Sequence, residues 1–151
     1  MKRELLSALL LSTLAGCSGA PPAPACETTQ PTTLDSIYNR YFAAQPTVAS
    51  RGCSLAGCHA SGAGGLTFHS AAEFYAATVN VIATQNSGQR RIEPGNPGAS
   101  YLFRKISPGA PRERMPLGGP YLSDAARAEI AGWICAGAPP PGTPDGGADA
   151  P

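Results

Sequence analysis

The 151-residue chain has no apolar run long enough to cross a membrane as a helix. Leu5 to Leu14 spans ten residues, where about 20 are needed. It also lacks charge of one sign. With 11 basic and 10 acidic residues, nothing in its composition points to a nucleic-acid partner. No internal repeat is visible, and no stretch alternates apolar and polar residues as a half-buried strand does. There is no Ser-His-Asp set, no carboxylate pair and no phosphate-binding loop. Glu73, Glu93, Glu113 and Glu129 are scattered, as solvated surface charges would be. These absences remove the common hydrolase and nucleotide-dependent chemistries and predict no enzyme.

What the sequence does have begins at its N-terminus. Lys2 and Arg3 precede the apolar run, which ends in Leu14-Ala15-Gly16-Cys17. That pattern is an export signal, and its end resembles the bacterial lipobox, in which the cysteine after the cut is lipidated. The expectation is a signal peptide at 1–16 and a lipid anchor on Cys17, which would hold the protein to a membrane facing the periplasm or the cell surface. With Lys2, Arg3 and Glu4 removed, nine basic and nine acidic residues remain. Residues 17–33, dense in proline, alanine and threonine, read as a tether, and 139–151 (PPPGTPDGGADAP) as a disordered tail. Between them, residues 34–138 suffice for one small domain. Export to an oxidising compartment makes the five cysteines informative. Assigning Cys17 to lipid leaves Cys26, Cys53, Cys58 and Cys135.

The stretch Cys53-Ser54-Leu55-Ala56-Gly57-Cys58-His59 carries the chemistry. Two cysteines with a histidine directly after the second is the arrangement that attaches a c-type haem. Each sulfur adds to a haem vinyl group, and the histidine is carried under the iron as its proximal ligand. The usual spacing leaves two residues between the cysteines, and here there are four. Gly52 and Gly57 would give the longer loop its backbone freedom. On these residues alone, three other readings stay open: a small disulfide, a zinc site completed by His69, or two unlinked thiols.

The remaining pattern is helical. Leu34, Ile37, Tyr38, Tyr41 and Phe42 form one stripe of a helix predicted over 34–44. Ser70 looks like the N-cap of a helix running to Asn80, and Ser123 caps another running to about Ala136. Pro94-Gly95-Asn96-Pro97-Gly98 marks a turn before a short helix at 99–106. The predicted fold class is all-α.

In this order the blocks GCHASGAGGL (57–66), IEPGNPGASYLFRKI (92–106), RMPLGGPYLS (114–123) and IAGWICAGA (130–138) resemble the class I cytochrome c-like domains of exported bacterial lipoproteins. The resemblance spans roughly Leu34 to Ala138 and departs from the pattern in the cysteine spacing. It implies a small helical domain around one covalently bound haem c, with its iron, in which the first and last helices cross. It implies one-electron transfer with redox partner proteins of the cell envelope. Met115, in Met-Pro just before the last helix and the only methionine besides Met1, would be the distal iron ligand, with His69 as runner-up. Arg112 and Arg114 would pair with the haem propionates or stand in solvent. If the first and last helices cross, Cys26 and Cys135 are a disulfide candidate, against a free Cys26 and a buried Cys135 thiol. Two other functions remain open: a haem peroxidase or gas sensor, and a haemless binding module of the same architecture.

Overall fold

The computed structural model of the chain describes residues 26, 32–49 and 51–144. The expected signal peptide, Cys17 and much of both tails lie outside them. Four helices, α1 (Leu34–Ile37), α2 (Ala71–Thr78), α3 (Tyr101–Ile106) and α4 (Asp124–Cys135), are joined by long glycine- and proline-rich connections. Their starts follow from local chemistry. Thr33, Ser70 and Ser123 place a side-chain oxygen on the free backbone N–H groups of Ser36, Glu73 and Ala126, which the first helical turn leaves without partners.

The expected all-α class is corrected by a two-stranded antiparallel hairpin, β1 (Ile82–Ala83) with β2 (Asn86–Arg90), which makes this a mixed fold of short helices and a small sheet. The reason its strands escaped detection is physical. β1 has two residues and β2 is Asn-Ser-Gly-Gln-Arg, so neither is long or apolar enough to show a period of two. The hairpin is held by tertiary bonds. The Thr84 hydroxyl donates to the Gly64 carbonyl at 2.8 Å, and the Arg91 guanidinium donates to Gly65 O at 2.7 Å and Thr84 Oγ1 at 3.2 Å.

The first helix also differs from expectation. After Ile37 its turns widen to a π-helix over Tyr38–Phe42, with Ala43 N–H donating to Tyr38 O at 2.8 Å, and it ends two residues early. Its stripe is buried all the same: Leu34, Ile37, Tyr38, Tyr41 and Phe42 all belong to the core. α1 packs against α4. Trp133 of α4 is fully buried beside Phe74 of α2, its indole N–H donating to Pro139 O at 3.0 Å. Residues 139–144 also reach α1, through a bond from Gly142 N–H to the Asp35 carboxylate.

Cys26 and Cys135 are joined by a disulfide, with Cα atoms 5.3 Å apart. The bridge ties the segment before α1 to the last turn of α4. Beside it, Gly95 N–H of the proline-glycine turn donates to Ile134 O at 2.7 Å.

Candidate haem cavity

The loop that carries the two remaining cysteines is docked on the end of the first helix. Cys53 and Ser54 N–H groups both donate to Phe42 O, at 3.2 and 2.9 Å. This approach is why position 52 is glycine. A Cβ there would stand 1.9 Å from the Ala43 carbonyl oxygen, closer than any atom can come. Gly57 serves differently, by adopting φ +81°, which turns the chain back toward Cys58. The Ser54 hydroxyl donates to Phe68 O at 2.7 Å and closes the loop on its far side.

His59 follows in a short 3₁₀ turn. Its Nδ1 lies 3.2 Å from the Leu66 carbonyl oxygen. A carbonyl only accepts, so Nδ1 donates to it, and in the neutral ring the lone pair is then on Nε2. The ring is also stacked on Phe68, with centroids 5.8 Å apart and planes 19° from parallel. Both contacts restrict the imidazole's rotation.

Met115 comes from a different segment, held against α3. Its N–H donates to the carbonyl of Lys105, in the last turn of α3, at 2.8 Å. The Lys105 ammonium reaches forward to the carbonyls of Pro111 and Glu113, and Arg114 Nε donates to Ile106 O at 3.2 Å. The carbonyls that a helix C-terminus leaves free, and a lysine that is only 8 % exposed, thus fasten the methionine's loop to α3.

Cys53, Cys58, His59 and Met115 all line one cavity of about 300 Å³. Its lining includes the packed rings of Phe42, Phe68 and Phe74, Tyr101, Leu102 and Ile106 of α3, and Ala83, Thr84 and Gln85 of the hairpin. Volume and lining are those of a site for a largely apolar ligand. Neither Cys53 nor Cys58 is in a disulfide. Burial, and then the neighbouring Cys58, push the Cys53 thiol from its ordinary 9.0 up to about 12, so it stays protonated at neutral pH.

His69 is exposed and does not line the cavity. Its backbone N–H donates to the Glu73 carboxylate, which makes it part of the entry to α2. Among the described residues no three His, Cys, Asp or Glu side chains are grouped so as to hold one metal ion by themselves. Arg112 and Arg114 do not line the cavity either. Arg112 is exposed at φ +60°, and the Arg114 guanidinium lies 4.3 Å from the Tyr121 ring centroid. The cations that do line it are Arg51, Arg91 and Lys105, which the sequence reading passed over. One signal pointed to Lys105: it falls three and four residues after Leu102 and Tyr101, on the apolar side of its helix. Arg91 had no such signal, because the hairpin that presents it had none.

The donor set suits haem c. Two cysteines with free thiols, a histidine and a methionine line one largely apolar space, and no further protein ligand is required. No family model, curated protein or solved structure matches the chain.

Proposed function

We propose that the chain is a c-type haem protein of the cell envelope that passes single electrons between partner proteins. The observation that carries this reading is that the Cys53–His59 stretch and Met115, distant from it in sequence, line one largely apolar cavity. Haem, when bound, supplies the one-electron iron couple. The chain's own residues would do the rest. Cys53 and Cys58 would hold the macrocycle as thioethers, and His59 would offer Nε2 to the iron while the Leu66 carbonyl keeps the Nδ1 proton in place. Met115 would offer its sulfur from a loop fastened to α3. The phenylalanine rings exclude water and lower the local dielectric, which, with a thioether ligand, raises the potential relative to a solvated site with two histidines. If His59 and Met115 both hold the iron, no site for a substrate would remain on it, which favours electron transfer over catalysis.

The proposed anchor is lipid on Cys17, after removal of 1–16. Replacing Cys17 by Ala should move the protein from the membrane to the soluble fraction. An unchanged membrane fraction would remove the anchor from the proposal.

The decisive test of the haem reading is a visible absorption spectrum of the mature protein co-expressed with haem-attachment machinery. A low-spin haem c spectrum is expected, with haem remaining on the polypeptide through denaturing electrophoresis. A colourless, folded product refutes the proposal.

A further inference from the structure

Three cations and no carboxylate line the cavity. Arg51 stands at its exposed rim, where it donates to Leu117 O at 3.1 Å. Arg91 and Lys105 are within, half-buried and 8 % exposed respectively. None of the three forms an ion pair among the described residues. The ion pairs there are Arg40–Glu129, Arg90–Glu93 and Arg127–Asp124.

Their present partners are all neutral. Arg91 donates to the carbonyls of Ala77 and Gly65 and to the Thr84 hydroxyl. Lys105 donates to the carbonyls of Pro111 and Glu113. Carbonyls use up N–H groups but do not neutralise charge. An ammonium has three N–H groups, so one remains on Lys105, and a guanidinium has five. Desolvation pulls both groups below their ordinary pKa, Lys105 against an opposing pull from the exposed Glu113, which lies beyond ion-pair distance. A buried ammonium without a counter-ion is costly in a free protein, and a half-buried guanidinium less so. They make sense where a ligand brings the counter-charge.

We propose that Arg91 and Lys105 form a carboxylate seat in the cavity, which therefore selects a flat or extended apolar ligand carrying anionic groups. The proposal rests on reading the cavity as a ligand site. If that ligand is haem, the groups would be its two propionates, met by Arg91 and Lys105 rather than by Arg112 and Arg114, which do not line the cavity.

The test compares ligand pairs that differ chiefly in charge, using the mature protein without haem, its Cys26–Cys135 bridge intact. The probes are laurate against 1-dodecanol, and ferric protohaem against its dimethyl ester. The anion of the first pair should bind at least about tenfold more tightly, as a charge-assisted hydrogen bond would give. R91Q and K105Q should each lose most of that preference while binding dodecanol as before. Trp133 fluorescence reports whether each variant is folded. If K105Q does not fold, the wild-type comparison and R91Q still decide. Equal affinity for laurate and dodecanol in the wild-type protein overturns the seat, as does a preference that survives in both variants. A protein that prefers laurate but binds neither porphyrin keeps the seat and loses the haem reading. Preference for protohaem over its ester supports both.

Discussion

Replacing Cys26 and Cys135 together by serine should destabilise the domain more than any single surface change. The bridge closes a loop with a sequence separation of 109 residues, which contains nearly all of the folded domain. In the chain-entropy account, opening such a loop returns about 16 cal/mol/K to the unfolded ensemble, or about 4.8 kcal/mol at 25 °C. Measured bridges usually give less, about 2–4 kcal/mol. For a domain of about 105 residues the entropy of unfolding is about 220 cal/mol/K, so the ceiling corresponds to a fall in Tm of roughly 20 °C. That is a large share of the about 5–15 kcal/mol a domain of this size has in total. The assay is a pair of urea and thermal melts, wild type against the double variant, in the same ligand state because a bound ligand adds its own stabilisation. Peptide mapping of alkylated, unreduced protein should leave Cys26 and Cys135 unlabelled. A loss below about 1 kcal/mol would refute the loop-entropy reasoning, and label on both residues would refute the pairing.

Met115→Ala should open a haem-loaded protein to carbon monoxide and abolish the weak charge-transfer band of ferric His/Met haem. His69→Ala should do neither, and the reverse pattern would transfer the ligand role to His69. Gly52→Ala places a methyl group 1.9 Å from the Ala43 carbonyl oxygen. It should cost about 3 kcal/mol or prevent folding, as overpacking does, and a melt within 0.5 kcal/mol of wild type, on the order of a neutral surface change, would show that the loop can lift away. Cys53 should label far more slowly than Cys58 in the native haemless protein, as alkylation followed by peptide mapping would show. The same thiol gives a pH dependence. Its pKa is raised from 9.0 to about 12, so the native state keeps a proton that the unfolded chain loses. Stability should be undiminished below about pH 9 and fall as pH rises toward 12. Tyr41, raised from 10.0 to about 12 by burial and then by its bond to Glu129, acts in the same direction. A urea midpoint that climbs between pH 9 and 11 would contradict both.

Local chemistry alone determined a good part of this molecule. Ser70 and Ser123 cap their helices because a hydroxyl at the first non-helical position meets an unpaired N–H whatever the rest of the chain does. The stripe from Leu34 to Phe42 is buried because one helical face is apolar. Other features depended on partners distant in sequence. The π-helical end of the first helix forms where the Cys53 loop docks on Phe42 O, a contact no periodicity shows. The hairpin has no alternating strand signal and is held by Thr84 and Arg91 bonding to Gly64 and Gly65. The cations at the cavity are Arg51, Arg91 and Lys105 rather than Arg112 and Arg114, because α3 and the segment after the hairpin border it while Arg112 and Arg114, in the loop before Met115, do not. Sequence identifies which groups carry a charge or a lone pair. Only the packing of distant segments decides which of them share a cavity.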